Sequence, residues 1–194
     1  MHKFVSTSFL LIFSFSVSAQ TEIDNVQSEV TIKVSEKQKR YTYFSGNAPV
    51  TMADGSTKSM ADIKIGEHVK TYKDGKSTST QVKQIDVYNQ PKSTLTAVYL
   101  RPAHEKRALK GQTVVPALLL EATPDHLVQT KRGKKRMNKL SKRDILYHYE
   151  PLTGIVSSWK VGAVKENARR ISKAYNLATV DGTYLVDNVM VANN

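Results

Sequence analysis

Three aspartate–glycine turns, Asp54-Gly55, Asp74-Gly75 and Asp181-Gly182, punctuate this chain between short runs of strand-forming residues. Glycine in such a pair supplies the positive φ that a tight hairpin requires. The runs themselves are His68–Tyr72, Thr94–Leu100, Val114–Leu120 and Thr183–Val186, preceded by Val30–Val34, which alternates apolar and polar as a half-buried strand does. Short strands at close spacing with glycine turns predict an all-β domain. Pro116 cannot donate to a central ladder, so its run is predicted to start at an edge or a bend. Ser59–Ile63 is helix-like and reads as a single turn. No internal repeat is visible in the sequence.

The first 19 residues have the layout of a secretory signal. Lys3 gives the charged start, Phe9–Phe15 the apolar run, and Val17-Ser18-Ala19 the small-residue cleavage site. That run is too short to cross a hydrocarbon layer of about 30 Å, so the expected product is translocated, secreted or periplasmic, with no transmembrane anchor in the mature chain. Residues 20–40 are polar and read as a leader into the domain. The chain has no cysteine, which excludes a disulfide framework and a lipid-modified cysteine. One domain of about 175 mature residues is large enough to rely on its core.

Formal charge is +12 for the whole chain and about +11 once the signal is removed. The densest cluster is Lys131, Arg132, Lys134, Lys135 and Arg136, with Lys139, Lys142 and Arg143 behind it, read as a hairpin loop. Loops are charged because they are solvated, yet like charges this close repel, a cost that a bound polyanion relieves. A second basic stretch, Arg101–Lys110, includes Arg107 and Lys110. Aromatic residues interleave with neither cluster, which disfavours nucleic acid. For an exported protein the polyanions to expect are anionic polysaccharide or lipid headgroups. His68, His104 and His148 lack the paired spacing of metal ligands, and no metal or other cofactor is expected. Trp159 is expected to pack in the core.

Four segments in order carry a family resemblance. Tyr43-Phe44-Ser45-Gly46-Asn47-Ala48-Pro49-Val50 comes first, then Met60-Ala61-Asp62-Ile63-Lys64-Ile65-Gly66-Glu67-His68-Val69. Leu120–Val128 follows, containing Thr123-Pro124-Asp125-His126, and Ala174–Leu177 leads to Val189–Asn193. Together they resemble the Hint (hedgehog/intein) autoprocessing module over about residues 41–193. The resemblance implies a horseshoe-shaped all-β domain spanning 41–194. It also implies that Thr123 and His126 bond the scissile Thr42–Tyr43 amide and protonate its departing nitrogen, a task suited to imidazole.

The chemistry of that family begins with a sulfur or oxygen on Cβ of the first residue, which attacks the preceding carbonyl through a five-membered ring. Tyr43 occupies that position, and its oxygen is at the far end of a rigid ring. Asn176 replaces an aspartate common in the family, and Ala192 a histidine of splicing members. Asn193 matches the family's terminal asparagine, with only Asn194 behind it. The expectation is therefore an exported Hint-like domain inactive in self-cleavage, with a binding or structural role, in which Tyr43 fills the nucleophile's place as a core residue. His126 can equally be an ordinary turn or core histidine. The alternative is residual autoprocessing near Thr42–Tyr43 or Phe44–Ser45 with Ser45 as nucleophile and Thr123 and His126 assisting.

Overall fold

Strand follows strand from residue 44 to residue 192 in the computed structural model, which describes residues 42–92, 94–103 and 115–193. In chain order these strands are β1 (Phe44–Ser45), β2 (Pro49–Thr51), β3 (Thr57–Ser59), β4 (His68–Lys73), β5 (Lys76–Asn89) and β6 (Leu95–Pro102). They continue as β7 (Leu118–Ala122), β8 (Leu127–Thr130), β9 (Gly133–Arg136), β10 (Ile145–Tyr149), β11 (Val156–Arg169) and β12 (Lys173–Thr179). The hairpin of β13 (Thr183–Val186) and β14 (Val189–Ala192) closes the domain. Two single 3-10 turns, Met60–Asp62 and Met137–Lys139, are the helical elements among the described residues. The signal, the leader, the Val30–Val34 strand, His104, Arg107 and Lys110 lie outside the described residues.

The all-β reading holds, as does the single turn after Ser59. Asp74 and Gly75 both adopt positive φ (50° and 78°) between β4 and β5, a hairpin turn of the kind their sequence specifies. Pro116 precedes β7, which is the last strand of the larger sheet, where a missing N–H costs no ladder bond.

Two sheets result. The smaller has the order β1-β12-β5-β4, and the larger runs β3-β2-β13-β14-β8-β10-β11-β6-β7, with β9 paired to β8. Between them lies a core that includes Phe44, Val50, Met60, Val69, Leu120, Val128, Met137, Leu146, Leu177 and Val191, all buried. Each fully buried aliphatic side chain of this size contributes about 1.5–3 kcal/mol by leaving water.

Contrary to the expectation of no repeat, the domain is built twice. The amide of Met60 donates to the Ala48 carbonyl at 2.9 Å, and that of Met137 to the His126 carbonyl at 3.0 Å. Ala61 N–H bonds Gly46 O at 2.9 Å, and Asn138 N–H bonds Pro124 O at 3.0 Å. Lys58 reaches Glu67 at 2.7 Å, and Lys135 reaches Asp144 at 2.6 Å. Those same carboxylates accept from the amides of Lys64 and Ser141, at 2.8 and 2.7 Å.

Pairing between the halves is reciprocal. β5 of the first half pairs with β12 of the second, and β11 of the second pairs with β6 of the first. β13 pairs with β2 and β14 with β8, so each strand of the closing hairpin serves one half. The repeat escapes the sequence because most of it resides in backbone bonds, which any side chain permits. Only a few positions, such as Lys58 and Lys135 or Met60 and Met137, keep the same residue.

The basic run also differs from its expectation. Only Lys131 and Arg132 form the loop; Gly133–Arg136 is β9, paired in register with Leu127–Thr130. Lys135 is tied to the buried Asp144, and Arg136 lies 3.6 Å from Asp125. Burial alone would raise the Asp144 carboxyl. The Lys135 ammonium and both Ser141 donors outweigh it and hold the group below its ordinary range. Two of the five clustered cations are thus structural, because strand pairing and a buried counter-charge use them.

Candidate functional site

β1 is short because Phe44 and Ser45 pair with Tyr175 and Ala174 before the chain turns at Gly46. A Cβ at Gly46 would meet the Tyr175 ring at 2.7 Å, so this turn needs glycine for space. Just upstream, Tyr43 is fully buried among Leu95, Ala174 and Tyr88, its ring centroid 5.8 Å from that of Tyr88. Tyr43 is thus an aromatic core residue. Extending the β1–β12 register places Tyr43 opposite Asn176. Asn176 in turn points its amide at Asp86 on β5, at 3.5 Å.

Thr123 and Tyr43 are joined by two bonds. The Tyr43 amide donates to Thr123 Oγ1 at 3.0 Å, and the Thr123 amide donates to the Tyr43 carbonyl at 3.0 Å. The Thr42–Tyr43 peptide unit is therefore held by the residue that the family pattern assigns to it. His126 closes the same turn through its own amide, which donates to Thr123 O at 3.0 Å. Its ring stacks at a tilt on Phe44, with centroids 4.3 Å apart. Its Nδ1 lies 3.0 Å from the Leu127 carbonyl, which can only accept, so this nitrogen carries the proton. Burial pushes the imidazole down to about 4, and the bond to Leu127 offsets only part of that. A neutral histidine is the form this site holds at neutral pH.

Asn193 directly follows β14. Val191 pairs with Val128 and Ala192 with Leu127, so the next step sets Asn193 opposite His126. Its Nδ2 donates to Thr179 O at 2.9 Å, while its Oδ1 is buried without a hydrogen-bond partner among the described residues. Asn138 Oδ1, beside the amide that bonds Pro124, is likewise unpaired. Ser45 stands apart from this arrangement: its hydroxyl bonds Asn47, and the Thr123 hydroxyl is on the Tyr43 amide two residues upstream. Tyr43, Thr123 and His126 are brought together, whereas the hydrogen bonds of Asn193 go to Thr179 and Gly182; the arrangement grips one amide with no hydroxyl or thiol on the adjacent Cβ.

The repeat places a second cleft where the sequence drew no attention. Val186 pairs with Val50 as Val191 pairs with Val128, so Asp187 and Asn188 in the first half correspond to Ala192 and Asn193 in the second. Val186-Asp187-Asn188 against Val191-Ala192-Asn193 was the available signal. In the same correspondence Ser45 matches Thr123, Ala48 matches His126 and Glu121 matches Tyr43. Asp187 and Asn188 form the β13–β14 turn, both at positive φ (50° and 58°), which aspartate and asparagine tolerate better than most residues. Cavities of about 400 Å³ and 210 Å³ share Pro49, Leu119 and Asp187 in their walls. Burial, and next the charge of Glu121, raise the Asp187 carboxyl to about 6. Glu121 itself accepts from Arg169 at 2.7 Å. His148, also in the wall, is held below its usual value by burial despite the Glu150 carboxylate 3.0 Å away. Trp159 packs on His148 and bonds Ser157, a core role.

No group of three or more potential metal-ligating side chains occurs among the described residues. None of the described helices is long and apolar enough to cross a membrane.

Solved structures similar in fold include inteins and an intein-like domain. A DnaB intein from Synechocystis sp. PCC 6803 is similar with a TM-score of 0.61 and 15% identity, over 79% of this chain and 99% of that one. An intein from a hyperthermophile gives 0.61 and 13%, over 79% and 100%. A bacterial intein-like domain from Clostridium thermocellum gives 0.55 and 23%, again over 79% and 100%. No family model matches the sequence. No curated protein matches it either. At these identities the likeness establishes the fold: the chain is an all-β domain of the Hint-like class.

Proposed function

We propose that this chain is an exported Hint-like domain that does not cleave itself and serves a binding or structural role. One observation carries the reading. The amide that a self-cleaving member would break is still gripped by Thr123, but the side chain beside it is a fully buried phenol. An acyl shift needs a heteroatom on Cβ to close a five-membered ring, and no rotation of a tyrosine brings its oxygen there. His126, neutral and bonded to Leu127, has no leaving nitrogen to protonate in the absence of that shift. Hydroxylamine tests this, because it captures any ester or thioester: treated protein should release no segment ending at Thr42 or Phe44, and release at either bond would overturn the reading.

The binding role we assign to the basic hairpin. Lys131, Arg132 and Lys134 are exposed and make no ion pair among the described residues. A cavity of about 290 Å³ opens beside Lys131, Arg132 and Arg143. The partner would be an anionic polysaccharide or lipid headgroup. Retention on a heparin-like matrix should fall steeply with salt and fall again when Lys131, Arg132 and Lys134 are changed to glutamate. Unchanged retention would leave the hairpin as a solvated turn.

A further inference from the structure

β7 ends the larger sheet. It pairs with β6 on one side; no described strand pairs with the other, where just past its end the Thr123 amide bonds the Tyr43 carbonyl beside β1. Beside it runs the second cleft: Ala117, Leu118 and Leu119 line its wider part and Leu119 and Glu121 its narrower part, with Pro49 and the Asp187 turn opposite. Leu119 is 42% exposed there. Five residues of strand at about 3.3 Å each match an extended peptide of four to five residues. Open edges of this kind accept a further strand through main-chain bonds, while side-chain pockets supply selectivity.

The charge of the cleft opposes that of the protein. Glu121 is neutralised by Arg169, but Asp187 has no ion-pair partner among the described residues. A half-buried carboxylate without a counter-ion is costly. A cation seated in the cleft would supply the missing partner. The halves of the domain have diverged on this point: His126 and Tyr43 fill one centre, while Ala48 and Glu121 at the corresponding positions leave the other open.

We propose that this cleft is a docking site for an extended peptide that adds to the edge of β7 and places a lysine or arginine side chain against Asp187. It rests on the fold and the cleft, and holds whether or not the chain cleaves itself. A protein whose formal charge is about +11 without its signal repels a cationic peptide in general, so attraction to one is diagnostic of a local site.

The probe is an acetylated, amidated Val-Lys-Val-Lys-Val peptide, titrated into the mature protein at pH 7.5 and followed by amide NMR shifts. The expected result is saturable shifts at Leu118–Glu121 and Asp187. Affinity should drop about tenfold or more when norleucine replaces lysine, as loss of one desolvated charge contact implies. Asp187→Asn keeps a residue that tolerates the turn and should remove the preference for lysine. A peptide with alternate N-methylated amides, which cannot extend the ladder, should not bind. Absence of shifts, equal binding of the norleucine peptide, or an undiminished lysine preference in Asp187→Asn would overturn the proposal. So would a dimer in solution whose shifts show β7 already occupied by a second copy.

Discussion

Tyr43 and Thr123 hold each other by reciprocal bonds: the Tyr43 amide to Thr123 Oγ1, and the Thr123 amide to the Tyr43 carbonyl, both at 3.0 Å. In a fully buried setting that hydroxyl is a stability element. Thr123→Val keeps the shape and leaves the Tyr43 N–H without its acceptor. It should cost about 1–3 kcal/mol in urea unfolding, and Thr123→Ser should recover most of it. Equal losses for both would mean that packing, rather than the bond, is what Thr123 provides.

Tyr43 itself should behave as core. Tyr43→Cys removes a ring packed on Leu95, Ala174 and Tyr88 and should destabilise the domain by about 3 kcal/mol through the cavity left behind. A loss below about 1 kcal/mol would show that the pocket is easily vacated and that tyrosine is not required to fill it.

Asp187 and His126 give opposite pH dependences. The folded state raises Asp187 to about 6, so its contribution to stability is fully present below the unfolded value near 4 and is lost as pH rises through 6. The folded state lowers His126 to about 4, so its contribution is present above about 6.5 and is lost as pH falls through 4. The depressed His148 and Asp144 groups add to the acid loss. Relative to Asp187→Asn, the parent should therefore gain stability on going from pH 7.5 to pH 4, by on the order of 2 kcal/mol. His126→Gln should flatten the acid loss of the parent. Parallel pH profiles for the parent and Asp187→Asn would refute the raised carboxyl.

The repeat supplies a paired test. Lys135→Met strands Asp144, which is only 5% exposed, whereas Lys58→Met leaves Glu67 at 29% exposure and able to hydrate. The first should cost about 1–2 kcal/mol and the second under about 1. Lys134→Met, on the exposed side of β9, should stay within about 0.5 kcal/mol. Equal costs at Lys135 and Lys134 would contradict the assignment of Lys135 to the fold.

How much of this was legible depended on where the information resides. The all-β class, the Asp74-Gly75 hairpin and the grouping of Thr123 and His126 with residue 43 follow from turn chemistry and an ordered set of motifs. The long strands β5 and β11 did not announce themselves. Lys76–Asn89 and Val156–Arg169 are largely exposed, so apolar alternation is weak. They persist because each pairs with two partners along successive stretches, β5 with β4 and then β12, β11 with β10 and then β6. The second cleft was hidden for a related reason. Asp187, Glu121 and Ser45 are scattered in the chain, and only the doubled architecture gathers them. Lys135 read as loop charge because its partner Asp144 is buried by tertiary packing that no local pattern records.

The proposed absence of self-cleavage is tested most directly by the intact mass of the purified protein after prolonged incubation with and without thiol. The account predicts one species running from about Gln20 to Asn194 under both conditions. A fragment beginning at Tyr43 or Ser45, present in the parent and abolished in His126→Ala, would contradict it.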